Sequence, residues 1–170
     1  MLVSTANAPY IFNVSNADIT FRSDAPLELI KASSNQVKGR FDAVKKQFSF
    51  SVNIKSFTGF NSLMQQEHFN EHYMESDKYP QALFEGRIIE DFNFLRDGLF
   101  NIRAKGNLSI HGVTQERIIK CELVVKNNIA TVKANFTVLL SEHNIQIPKV
   151  LHEKLANEIK VEVRAELIEK

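Results

Sequence analysis

The residues best able to do chemistry stand together in His68-Phe-Asn-Glu71-His72. Two histidines four apart share one face of a helix, and a glutamate beside them can act as general base on metal-bound water, as in the inverted zinc-peptidase signature. A catalytic zinc also needs a third ligand, which only Glu153 or Glu158 of the C-terminal segment could bring from a second helix. A strand-rich chain is a poor frame for a peptidase, and five-residue patterns arise by chance, so the pair reads as a solvated helix face with no metal and no catalytic residue assigned. Ser109 and His111 share a strand face, but no acid is placed to orient the imidazole and no Gly-x-Ser-x-Gly elbow exists. Cys121 alternates with Ile119, Leu123 and Val125 and reads as a small core hydrophobe. Gly106 and Gly112 are too far apart to cradle a phosphate, and no cofactor is expected.

The elements that must position these residues are mainly strands. Phe48, Phe50, Val52 and Ile54 alternate with Ser49, Ser51, Asn53 and Lys55, which is a half-buried strand. The same period of two runs through Phe100, Ile102, Ala104, Gly106, Leu108 and Ile110, through Ala130 to Leu140, and through Ile159 to Leu167. Weaker versions lie at 10–14, 19–22, 37–44, 83–89 and 118–125, with turns expected at Asp97-Gly98 and Asn127-Asn128. Antiparallel strands with one dry face must hide their edges, so the pattern predicts an all-β, up-and-down antiparallel barrel of about eight strands, with a sandwich as the alternative. Two short helices interrupt it. The first has an N-cap at Asn61-Ser62 with a capping-box Gln65, and runs through Leu63, Met64 and Phe69 to about Tyr73. The second opens at Pro148 with Val150, Leu151, Leu155 and Ala156 inward. Both could cover an open barrel end.

Composition narrows the function. Lys+Arg 21 against Asp+Glu 20 gives a net charge of +1, which is no footprint for nucleic acid. A lone cysteine excludes an internal disulfide, and no apolar run is long enough for a membrane-spanning helix. Residues 1–9 read as a tail whose Ala6-Asn7-Ala8 has the small-x-small form of a signal-peptidase site, without a basic start or a full apolar stretch; residues 10–170 read as one domain. Thirteen Phe against three Tyr and no Trp make the aromatic content almost purely apolar. If the sheet closes, its inward side chains meet in one lumen that is either filled or holds one small guest. A Phe-rich lumen with small residues between the rings favours an elongated, lipid-like guest, and the pattern alone leaves a solid core equally open.

The run Leu63-Met-Gln-Gln-Glu-His68-Phe-Asn-Glu71-His-Tyr-Met-Glu75-Ser-Asp-Lys-Tyr79-Pro-Gln-Ala82-Leu-Phe84-Glu-Gly86, with Gly106-Asn-Leu-Ser-Ile-His111-Gly-Val-Thr114, resembles the YceI-like family of bacterial lipid-binding proteins over about residues 10–167. The resemblance implies an extended lipocalin-like barrel whose tunnel holds a polyisoprenoid chain without chemistry on it, with the Phe69 helix at the tunnel mouth and export to the periplasm. The His72 position looks like Asn in similar proteins, which counts against zinc, and Ser141-Glu-His143 stands where an Asp-Tyr pair is more usual. The expected lining residues are Phe48, Phe50, Val52, Phe84, Phe100, Ile102, Phe136 and Val138 on strands, with Met64 and Phe69 at the mouth. Tyr73 and His111 are candidates for a headgroup, whereas strand parity turns Arg103 outward. The leading expectation is therefore a non-enzymatic carrier or sequestering protein for an isoprenoid-type lipid. Its rivals are a His68/Glu71/His72 zinc hydrolase, and a solid-cored structural or interaction module that pairs as a homodimer through an exposed strand or the Phe57-Thr-Gly-Phe60 loop.

Overall fold

The computed structural model describes residues 9–169; the Ala6-Asn7-Ala8 pattern lies outside them. Nine strands form one antiparallel sheet: β1 (Ile11–Asp24), β2 (Leu29–Ser34), β3 (Val37–Asp42), β4 (Gln47–Asn53), β5 (Gln81–Ile88), β6 (Gly98–Ile110), β7 (Val113–Lys126), β8 (Ile129–Leu139) and β9 (Glu158–Glu169). Strand β1 pairs with β9 and closes the sheet into a barrel. On its other edge, β2 takes the segment from Ile19 to Asp24 and β3 takes Ile11 to Asn13, so the two short strands share one place in the ring. The ring therefore has eight places.

Period-two alternation places the core. Along β6 the side chains of Ile102, Ala104 and Leu108 are buried while those of Asn101, Arg103, Lys105 and Asn107 are exposed. Strand β1 departs from strict alternation: its register against β9 shifts between Val14 and Asn16, a bulge at Ser15. Phe12 and Val14 pack into the barrel before the bulge, and Ala17, Ile19 and Phe21 after it. Two glycines answer tight places. Gly86 and Gly106 face each other across β5 and β6, and a Cβ on either would overlap the backbone of the other strand.

The turns follow local chemistry in part. Asn127 and Asn128, at φ 51° and 63°, make the two-residue turn expected between β7 and β8, and His111-Gly112, at φ 53° and 72°, turns β6 into β7. Asp97-Gly98 makes no tight turn. Gly98 already opens β6, and the Asp97 carboxylate accepts a hydrogen bond from the Asn127 amide at 3.1 Å, at the end of a long connection from β5.

The first helix forms as the sequence predicts, α1 (Leu63–His68) continuing as a π-helical turn over Phe69–Tyr73. Ser62 caps it, accepting from the Gln65 amide at 3.1 Å, and the Gln65 side chain reaches back to the Asn61 amide at 2.9 Å. The second helix does not form. After Pro148 there is one 3-10 turn, Lys149–Leu151, and the chain then spends its backbone groups on its neighbours: the Glu153 carbonyl accepts from Leu27, and the Ala156 amide donates to Ser23 Oγ. So short a segment gains too few internal hydrogen bonds to offset helix nucleation.

Strands β7 and β8 pair only from Cys121 to Lys126 against Ala134 to Ile129. Beyond that they part, and the 3-10 turn Leu140–His143 bridges the gap. Gln115 donates to the Glu142 carbonyl at 2.7 Å, and His143 Nδ1 donates to the Val113 carbonyl at 3.0 Å. His143 is fully buried, so the Ser141-Glu-His143 departure serves the fold.

Candidate functional site

The barrel is not filled. Two cavities lie along its axis, a wide chamber of about 480 Å³ beneath α1 and a deep chamber of about 150 Å³ below it. Ile19, Val52, Ala82, Leu108 and Phe136 line both, so the chambers meet at a common waist. The solid-core reading is corrected here: small inward residues, Ala82, Ala104, Ala130 and Ala134, leave the room that the Phe rings do not occupy.

The structure separates the residues expected to line the lumen. Phe48, Phe50, Phe84 and Ile102 border the deep chamber, and Met64, Phe69 and Val138 border the wide one. Val52 and Phe136 belong to both. Phe100 borders neither; its ring packs beyond the deep chamber, 5.2 Å from Phe94 and 5.5 Å from Phe92. Strand parity aims Phe100 inward correctly, but at the end of the barrel inward means into a plug of rings.

The lid over the wide chamber is held by aromatic contact. Phe69 stacks on Phe21 at 5.3 Å and meets Phe60 at 4.9 Å and Phe57 at 6.1 Å. Phe57 and Phe60 thus turn into the chamber, which corrects the expectation that their loop is a dimer contact. Its far end is tied to the barrel rim, where Glu75 Oε2 and His111 Nε2 lie 2.5 Å apart and Tyr79 meets the imidazole edge-on. His111 therefore holds the lid and does not border the chamber.

The π turn also decides what becomes of the histidine pair. In a continuous α-helix the inward position after His68 is His72. The wider turn, with the Met74 amide bonded to the Phe69 carbonyl, carries that position to Tyr73. His68 and Tyr73 border the chamber, and His72 and Glu71 are exposed. The two imidazoles lie 5.1 Å apart, and among the described residues no third His, Cys, Asp or Glu joins them as a metal-ligand cluster.

Polar groups gather at the mouth, apart from the buried Ser23 of the wide chamber and Ser51 of the deep one. Glu28, Ser62, Gln65, His68, Tyr73 and Lys154 border the wide chamber, with Gln65 donating to Glu28 at 3.2 Å, while Met64, 66% exposed, stands at the opening. Burial pushes the Tyr73 phenol above its ordinary value, so it stays a neutral donor. Cys121 borders the deep chamber, where burial first, and then the charge of Glu90, push its thiol up to about 11; it is no nucleophile at neutral pH. Such a site offers apolar surface and exclusion of water, with its charged groups where a ligand would enter.

Several residues that shape the chambers escaped the sequence reading. Leu108, Ile159 and Val161 lay on the inward side of recognised strands, so their signal was present. Ile145 lies in irregular chain, where no period of two marks it, and Leu151, expected inward on a second helix, borders the wide chamber from a 3-10 turn.

A closed antiparallel barrel with an apolar lumen and a polar mouth is a lipocalin-like binding fold. The family model for the YceI-like domain matches residues 10–167, and the chain belongs to that family. Solved structures agree on the fold. A polyisoprenoid-binding domain from Saccharophagus degradans, implicated in plant cell wall breakdown, matches with a TM-score of 0.77 at 10% identity, over 94% of this chain and 98% of that one. Burkholderia cenocepacia BcnA gives 0.73 at 14% identity, over 88% and 95%. The Campylobacter jejuni YCEI protein gives 0.61 at 15%, over 100% and 88%. No curated protein sequence matches the chain.

Proposed function

We propose that this protein binds a single-chain lipid of the isoprenoid type, tail down in the lumen, and carries or sequesters it without chemical change. The observation that supports this is the shape and chemistry of the lumen together: a wide chamber adjoining a deep, almost wholly apolar one across shared lining residues. Apolar burial is worth about 25 cal/mol per Å² and needs no charged contact, so an elongated hydrocarbon gains most from such a lumen. The Saccharophagus relative is described as polyisoprenoid-binding, which agrees with a prenyl tail. Tyr73, Gln65, Glu28 and Lys154 stand where the head of such a ligand would emerge. Export to the periplasm is the companion proposal; it rests on the family resemblance and the Ala6-Asn7-Ala8 pattern, and cell fractionation tests it.

The test is mass spectrometry of an organic-solvent extract of purified protein, paired with displacement of cis-parinaric acid by prenyl alcohols. A prenyl or acyl lipid in the extract, or displacement at micromolar alcohol, supports the reading. An empty extract together with no displacement overturns it.

A further inference from the structure

We infer that Phe94 is the stop that sets the longest chain the lumen accepts, an inference that rests on the lipid-binding reading above. The connection from β5 to β6, residues 89–97, folds across the narrow end of the barrel. Loop residues are ordinarily exposed, and Phe92 and Leu95 are 41% and 49% exposed, but Phe94 between them is 0% exposed. Its ring meets Phe41 edge-on at 5.7 Å and Phe100 at 5.2 Å, with Phe92 at 6.1 Å on the outer side. Phe41 borders the deep chamber and Phe94 does not, so Phe94 is the layer immediately beyond the floor.

The loop is anchored well enough to resist an advancing tail. Glu90 accepts from the Arg103 amide and from its guanidinium, both at 2.7 Å, and Asp91 pairs with Lys46. Asn93 accepts from the Leu95 amide at 3.1 Å, and Asp97 accepts from Asn127 at 3.1 Å. A ring packed on three others in a pinned loop yields little, because packed interiors have no slack.

Chain length then has a structural limit. At about 30 Å³ for each carbon-sized group, the two chambers of about 480 and 150 Å³ hold about four isoprene units. Replacing Phe94 with alanine removes a six-carbon ring, close to the size of one five-carbon isoprene unit, and opens that space to the deep chamber.

The experiment is a ladder of prenyl alcohols (geraniol, farnesol, geranylgeraniol and the five-unit homologue) displacing cis-parinaric acid from the intact protein. In the unaltered protein, affinity rises with each unit and stops rising after geranylgeraniol. In Phe94→Ala the break moves by about one unit, so the five-unit alcohol binds tighter than geranylgeraniol. Phe92→Ala, which removes an equal ring on the solvent side, leaves the break in place. Should circular dichroism show Phe94→Ala unfolded, Phe94→Leu serves, with several-fold tighter binding of the five-unit alcohol expected. A break that stays put in a folded Phe94→Ala or Phe94→Leu, or no break in the unaltered protein, overturns the stop and leaves lipid binding intact. If no alcohol displaces the probe from the unaltered protein, the stop falls, and lipid binding falls with it where the solvent extract is also empty.

Discussion

Replacing Ala82 with phenylalanine would set a ring in the waist between the two chambers. Ala82 borders both, and Val52, which lies directly across β4 and β5 from it, faces the same constriction. The deep chamber of about 150 Å³ holds about five carbon-sized groups at about 30 Å³ each. At about 0.8 kcal/mol per buried methylene, denying that chamber to a tail costs about 4 kcal/mol. Some of that returns because the displaced segment is no longer ordered, leaving about 2–3 kcal/mol, a loss of about 30- to 150-fold in affinity. The wide chamber of about 480 Å³ still holds about sixteen such groups, so a shorter ligand keeps its affinity. Farnesol and geranylgeraniol, titrated into both proteins by cis-parinaric displacement, separate these cases, with thermal unfolding to verify the fold. Weakened geranylgeraniol with unchanged farnesol is the expected result. Equal binding of geranylgeraniol by both folded proteins would refute the idea that one guest threads both chambers.

Three further outcomes follow from individual contacts. Phe50 borders the deep chamber and covers Gly39, so Phe50→Asp places a carboxylate against the guest and lowers lipid retention at least about tenfold, while His68→Ala at the exposed mouth leaves it unchanged; quantitative extraction measures both. The Cys121 thiol, raised from an ordinary 9.0 to about 11, has about a hundredfold less thiolate at pH 8 than a free thiol; iodoacetamide labelling should keep accelerating up to about pH 11, and a plateau near pH 9 would count against this environment. A Cβ at Gly106 would overlap the Glu85 carbonyl oxygen, so Gly106→Ala should cost about 1–3 kcal/mol, read as a lower urea midpoint at an unchanged slope.

Alternation carried most of the architecture. A strand that is buried on one side writes its face into every second residue, which is why β4, β6, β8 and β9 could be read with their inward residues. Periodicity fails where the backbone leaves the pleat. Phe94 and Ile145 lie outside strands and helices, Phe57 and Phe60 looked like surface aromatics, and the Pro148 segment carries helical spacing without the length to form a helix. The π turn is likewise invisible to a helical template, and it alone exchanges Tyr73 for His72 at the chamber. Whether a lumen of this composition is empty depends on summed volumes around the whole ring, which no single strand encodes.

Ser15 gives β1 a second frame of reading. Were the bulge flattened with Ser15 kept in the pleat, strict alternation from Phe12 and Val14 would turn Asp18, Thr20 and Arg22 inward and Ala17, Ile19 and Phe21 outward. Deleting Ser15, by contrast, would leave every inward side chain of β1 on its own side, because the bulge absorbs the one position that breaks the alternation. The bulge thus lets β1 carry one residue more than its partner without exchanging its faces, and the Ser15 hydroxyl is held there by a hydrogen bond to the Glu166 carbonyl.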